Sequence, residues 1–142
     1  MVVYANIGSN LGDRESLISK ALDKIGEKFG FYCISEFVES EPWGFDSTNF
    51  FMNIGVAFKS NFHPEEILLI LQGIEKSLTE VEHRDSHGNY KDRELDIDIM
   101  AIDEIVYNSP KLKIPHPHLL DREFFLIPLF QLNPEWKYPK PE

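Results

Sequence analysis

Residues 95 to 99, Leu-Asp-Ile-Asp-Ile, constrain this chain more than any other stretch. Leu95, Ile97 and Ile99 alternate with Asp96 and Asp98, the period of two expected of a half-buried β-strand. The apolar set faces a core, and the two acids share the opposite face. Residues two apart on a strand are about 6.6 Å apart at the backbone. Carboxylates that close repel unless a cation lies between them or one holds a proton. A solvated strand face usually carries mixed charge, not two acids beside Arg93 and Glu94. The sharper reading is a divalent-metal site.

Around this strand the chain reads as alternating elements. Val2 to Gly8 predict a buried strand running into a turn, and Asp13 is placed to cap the helix that follows. That helix carries Leu17, Ile18, Ala21, Leu22, Ile25 and Phe29 at helical spacing. Residues 31 to 40, rich in aromatic and β-branched types, predict a strand, and residues 50 to 60 another. Pro64 suits the first turn of a second helix with Ile67, Leu68, Leu71, Ile74 and Leu78 on its apolar face. A polar run from Thr79 to Asp92 has no periodicity and reads as a functional loop. The aspartate strand then extends to about Tyr107, and the tail, with Pro110, Pro115, Pro117, Pro128 and Pro134, reads as loops and short helical turns. The order β-α-β-β-α-β predicts an α+β, ferredoxin-like antiparallel sheet with both helices on one face and long active-site loops.

A chain of 142 residues is expected to form a single domain, residues 1–142. The formal net charge of -10 argues against nucleic-acid or anionic-membrane binding, which needs a basic face. The single Cys33 excludes an internal disulfide and fits a reducing compartment. With no signal-peptide pattern and no apolar stretch of membrane-spanning length, a cytoplasmic, monomeric protein is expected.

Three groups of residues carry chemistry. Magnesium prefers one or two carboxylates with water and phosphate oxygens, which suits Asp96 and Asp98, and Arg93 supplies a nearby cation. A D-x-D on a strand taken alone divides evenly between a metal site and a structural face. His116 and His118, in Ile-Pro-His-Pro-His, have no third ligand to complete a zinc site. Prolines on both sides of His116 fix its backbone, as a positioned donor or simply a rigid turn. Phe51 and Asn53 point to one side of their strand, an aromatic plate beside an amide, which suits a flat heterocycle. Phe50 faces the other way, toward the core.

The motifs NIGSN, EPWG, FMN, DRELDIDI and IPHPHL, followed by an arginine and two phenylalanines, occur in that order. Together they identify the chain as resembling the 6-hydroxymethyl-7,8-dihydropterin pyrophosphokinase family over essentially its whole length. The resemblance implies transfer of pyrophosphate from ATP to a pterin alcohol, with two magnesium ions at Asp96 and Asp98. It implies a pterin held between Phe51 and Phe124, with Asn53 at its edge and Ser40, Pro42 and Trp43 lining the pocket. On the nucleotide side it implies Gln72, Glu75, Tyr90, Arg93, Ile99, Lys111, Lys113, His116 and Arg122. It also implies a short further C-terminal segment, whereas this chain stops soon after Trp136.

One departure opens a second reading. The family loop after the second helix usually carries a G-R-x-R run, and here the corresponding residues are Thr79, Glu80, Val81 and Glu82. Two acids inside a triphosphate site would oppose ATP by several kcal/mol at an effective dielectric near 20. Exposed, they would be screened. The alternative is a catalytically weak relative that binds pterin and nucleotide. A metal-dependent nuclease using the same aspartates is a third reading, and the acidic balance counts against it.

Overall fold

The computed structural model describes residues 1–10, 14–40, 51–79 and 95–140. At its centre is β1 (Val2–Ser9), whose last seven residues are buried. It pairs antiparallel with β4 (Phe51–Lys59) on one side and β5 (Asp96–Ile102) on the other. β2 (Tyr32–Ile34) and β3 (Val38–Ser40) both pair antiparallel with the far edge of β4. The resulting order is β2-β4-β1-β5, with β3 beside β4.

Alternation along each strand decides which face is covered. Val3, Ala5 and Ile7 join Ile54, Val56, Phe58, Ile97 and Ile99 in one core. α1 (Arg14–Phe29) closes it with Ile18, Ala21, Leu22 and Ile25, and α2 (Pro64–Thr79) with Ile67, Leu71 and Ile74. These positions recur every three or four residues, so each helix presents one apolar stripe. Burying one such aliphatic side chain is worth about 1.5–3 kcal/mol, and cutting Leu71 back to alanine would cost about 2–5 kcal/mol. His63 caps α2, its Nδ1 accepting the Glu65 N–H at 3.2 Å. The ferredoxin-like antiparallel sheet with both helices on one face is the architecture found. Among the described residues, no helix is long and apolar enough to cross a membrane.

Three local features differ from the sequence expectation. The strand expected over residues 31–40 is split into β2 and β3. Ser35 donates its N–H to Gly55 O at 2.9 Å and accepts the Gly55 N–H on Oγ at 2.8 Å, so residues 35 to 37 oppose only Ile54 and Gly55. That is a bulge. Next, β5 ends at Ile102 rather than running on to Tyr107. Asp103, at φ +46°, exchanges bonds with Val2 there: its N–H meets Val2 O and its Oδ1 accepts the Val2 N–H, both at 2.8 Å. β6 (Tyr107–Asn108) and β7 (Lys113–Ile114) follow as a hairpin.

The third difference is the tail. It contains a single 3-10 turn (Leu119–Asp121) and α3 (Glu123–Leu132), a ten-residue helix with Pro128 inside it. α3 packs on the sheet face opposite α1 and α2, where Phe125, Leu129 and Trp136 bury Tyr4, Met100 and Ala101. Its segment, EFFLIPLFQL, is apolar on nearly all sides, so no amphipathic period advertised it. The close approach needs Gly55. A Cβ there would lie 2.6 Å from Pro128 Cβ and 3.0 Å from a Leu132 methyl. Gly55→Val is therefore expected to push α3 off the sheet and to lower the unfolding free energy by about 1–3 kcal/mol in urea titration.

Candidate active site

Two clefts meet where the end of β1 lies beside the start of β5. The first opens on the sheet face that α1 and α2 leave uncovered. It has a volume of about 390 Å³ and is lined by Asn6, Gly8, Ser40, Phe51, Asn53, Asp96, Asp98, His116, His118, Arg122 and Phe124. Small-molecule sites run about 300–1,000 Å³. The strand register builds its floor: one row across the sheet reads Val38, Asn53, Gly8, Asp96, and the next sets Asn6 beside Asp98.

Asn53 is 2% exposed, and its amide orientation follows from its bonds. Nδ2 donates to Val38 O at 3.2 Å and to Ser40 Oγ at 2.8 Å. Oδ1 is left above Gly8, where a Cβ would come within 2.8 Å of it. The missing side chain at Gly8 thus keeps an acceptor open on the cleft floor. Phe51 and Phe124 both border the same space. The Arg122 guanidinium lies 5.6 Å from the Phe124 ring centroid and 5.0 Å from that of Phe125, within cation–π range.

The second cleft, about 300 Å³, is bordered by Leu68, Ile97, Ile99, Lys111, Leu112 and Lys113. Asp98 and His116 line both clefts. They form the seam.

His116 is held at that seam from several sides. Its backbone N–H donates to Met100 O at 2.9 Å, and its Nδ1 accepts the His118 N–H at 3.0 Å. The proton of the neutral ring therefore sits on Nε2, which becomes the ring's donor. Burial lowers the His116 pKa from 6.5 to about 4, with smaller contributions from the Arg122 and His118 charges, so the ring is neutral at pH 7. The folded form refuses a proton that the unfolded chain accepts. Stability is then fully present above pH 6.5 and lost as pH falls towards 4. Urea midpoints measured across that range should fall less steeply for His116→Asn than for the unaltered protein.

Asp96 and Asp98 are both half-buried on one face of β5. Among the described residues no group of three or more His, Cys, Asp or Glu gathers to make an all-protein metal cage. Two carboxylates facing a cleft with room for water and phosphate oxygens fit magnesium, and they do not fit a structural zinc site.

The structure brings most of the expected residues together. Ser40, Phe51, Asn53, Asp96, Asp98, His116, Arg122 and Phe124 share the first cleft, and Ile99, Lys111 and Lys113 share the second with Asp98 and His116. Gln72 and Glu75 line neither. Gln72 is exposed on α2, and Glu75 accepts the Ile97 N–H on Oε2 at 2.7 Å, tying α2 to the outer edge of β5. Pro42, Trp43, Tyr90 and Arg93 lie outside the described residues, as do Glu80 and Glu82 and most of the polar loop. Asn6 and Gly8 are cleft residues that sequence reasoning missed, and His118, weighed there only as a metal partner for His116, lines the first cleft as well. The available signal was the face of β1: Tyr4, Asn6 and Gly8 alternate with Val3, Ala5 and Ile7, so a buried amide and a glycine share the aspartates' side.

Outside the clefts, one cluster braces the hairpin that carries Lys111 and Lys113. Tyr107 Oη donates to Glu65 Oε2, and His63 meets the Tyr107 ring edge-on at 5.4 Å between centroids. The Glu65 carboxyl is held below its usual pKa by the Tyr107 hydrogen bond first, and by Ser109 next. Tyr107→Phe is expected to speed amide exchange across residues 107 to 114 several-fold while leaving β1 and β4 unchanged.

The whole chain has known counterparts. The family model described as 7,8-dihydro-6-hydroxymethylpterin-pyrophosphokinase (HPPK) matches residues 4–134. The 2-amino-4-hydroxy-6-hydroxymethyldihydropteridine pyrophosphokinase of Porphyromonas gingivalis is 42% identical over 143 residues, covering 98% of this chain and 95% of its own. That of Aquifex aeolicus is 37% identical over 137 residues, covering 96% and 83%. A crystal structure described as HPPK-DHPS in complex with substrates has the same fold, with a TM-score of 0.66 at 14% identity. The match covers 96% of this chain and 40% of that longer one. Matched by the family model from Tyr4 to Pro134 and by two such relatives along nearly its whole length, the chain belongs to the 7,8-dihydro-6-hydroxymethylpterin-pyrophosphokinase family.

Proposed function

We propose that this protein transfers the pyrophosphoryl group of ATP to the hydroxymethyl oxygen of 6-hydroxymethyl-7,8-dihydropterin, giving AMP and the pterin diphosphate for folate synthesis. One observation carries the reading: Asp98 and His116 border both clefts, so ligands seated in the two would meet at a carboxylate and a neutral imidazole. The flat ring takes the first cleft, between Phe51 and Phe124. Asn53 Oδ1 accepts an N–H from the ring edge, Ser40 borders the same cleft, and Pro42 and Trp43 are assigned to the pterin by family resemblance. ATP takes the second cleft, with Lys111 and Lys113 at its border. Gln72, Glu75, Tyr90 and Ile99 are assigned to the nucleotide by family resemblance, and Arg93 and Arg122 to the phosphates.

The reaction needs no covalent intermediate. The pterin oxygen attacks the β-phosphorus in line, the bond from that phosphorus to the α-phosphate oxygen breaks, and AMP departs with the bridging oxygen. The hydroxyl proton leaves to solvent. What the chain supplies is alignment and charge balance, the main terms in phosphoryl transfer. Asp96 and Asp98 would hold two magnesium ions, which neutralise charge on the phosphate oxygens when bound. His116 Nε2–H donates to an oxygen at the seam, and its low pKa keeps that role unchanged through neutral pH.

The test is AMP formation from ATP and 6-hydroxymethyl-7,8-dihydropterin, with and without magnesium. AMP that requires both pterin and metal supports transfer. A folded protein that binds both ligands without releasing AMP would instead be the catalytically weak relative that Glu80 and Glu82 suggest.

A further inference from the structure

Pro128 lies inside α3 and has no backbone N–H. In an uninterrupted helix, the residue at 128 would donate to the carbonyl of Phe124, four positions back. That carbonyl is met instead by a side chain from the opposite end of the sequence: Asn6 Nδ2 donates to Phe124 O at 2.7 Å. Asn6 is 2% exposed and stands in β1 directly beside Asp98. The bond joins the central strand of the sheet to the first turn of α3, which starts without a side-chain cap of its own.

We infer that Asn6 is a positioning residue for the ring of Phe124. It occupies the carbonyl that Pro128 leaves open, and so fixes the rotation of α3 that puts this ring in the wall of the first cleft. Phe125 is fully buried and pins α3 to the sheet, but Phe124 is only half-buried and packing restrains it less. Pro128 and Leu129 hold α3 on the same core side as Phe125, further along the helix, and leave the setting of its first turn, where Phe124 stands, to a contact on the cleft side. The Asn6 bond is that contact. The inference rests on the reading that a flat ring occupies the first cleft.

The experiment measures dissociation constants for 6-hydroxymethyl-7,8-dihydropterin, and separately for a non-hydrolysable ATP analogue with magnesium. The proteins are the unaltered chain, Asn6→Ala, Pro128→Ala, the double variant and Phe124→Ala. Asn6→Ala is expected to weaken pterin binding about tenfold, because a buried carbonyl loses its donor and the first turn shifts, with the ATP analogue within about twofold. Pro128→Ala restores a backbone N–H aimed at Phe124 O. Alone it should bind pterin as the unaltered chain does, and combined with Asn6→Ala it should recover most of the loss. That rescue is not expected if Asn6 acts by touching the ligand. If Asn6→Ala does not fold, Asn6→Ser carries the same comparison with a shorter donor. Unchanged pterin affinity in a folded Asn6 variant, or a loss that Pro128→Ala does not repair, overturns the inference while the ring site stands. No pterin binding by the unaltered chain, or full binding by Phe124→Ala, overturns the ring site itself and this inference with it.

Discussion

Asp98→Ala is expected to lower magnesium-dependent AMP formation by about a thousandfold, the scale seen when a preorganised electrostatic partner is removed from phosphoryl or acyl transfer. Asp98 borders both clefts, whereas Asp96 borders only the first. A cation held by Asp98 would touch whatever the two ligands share, which in the proposed reaction is the phosphate chain. Asp98→Asn should be nearly as damaging as alanine, since it keeps the volume and removes the charge. Asp96→Ala should be severe but milder. The check is steady-state AMP release at saturating ATP and pterin, alongside a thermal melt to establish folding. A folded Asp98→Ala enzyme working within tenfold of the unaltered one would rule out the seam as the reaction centre. Among the described residues β5 is an edge strand, paired on one side by β1 and tied on the other by Glu75, and the core side of the strand is filled by Ile97 and Ile99 rather than by Asp98.

The second large effect is at Gly8. Even Gly8→Ala would place a Cβ 2.8 Å from Asn53 Oδ1 and 3.4 Å from the Phe51 ring. A flexible side-chain end would move aside at little cost. The Asn53 amide cannot, because Val38 O and Ser40 Oγ hold its nitrogen and the residue is buried. Either those bonds break or the new methyl stays on the cleft floor. In both cases the acceptor meant for the ring edge is lost or covered. Pterin affinity should fall about tenfold for Gly8→Ala, the order expected when a site's hydrogen-bonding group is displaced, and further for Gly8→Val. Binding of a magnesium–ATP analogue should hold, since Gly8 is not part of the second cleft. Calorimetric titration with each ligand separately decides it. Equal losses for both ligands would mean general damage to β1 rather than a covered floor.

Much of the layer structure was legible because it depends on local periods. The spacing of Ile18, Ala21, Leu22 and Ile25, and of Ile67, Leu71 and Ile74, follows from 3.6 residues per helical turn. The alternation of Leu95, Ile97 and Ile99 with the aspartates follows from the pleat. Neither needs knowledge of what lies across the core. The same local argument put Phe51 and Asn53 on one side of their strand, and the structure brings both to the cleft.

What escaped the sequence depended on pairing between distant segments. The bulge at Ser35 exists because Gly55 meets it twice, and the end of β5 is set by Val2. α3 was hidden by its own Pro128 and by apolar residues on every side. It forms because the sheet face around Tyr4, Met100 and Ala101 needs a cover.

The sequence alone determined the two helices, the strand that carries Asp96 and Asp98, and the residue types a metal and a flat ring would need. Tertiary structure alone decided that Gly8 stands between Asn53 and Asp96, and that Asn6 reaches the carbonyl freed by Pro128. It also decided that Asp98 and His116 form a wall shared by two clefts. The division has one physical reason. Backbone geometry sets the period of a segment from within, but strand register and helix docking are settled by long-range contacts that no local window contains.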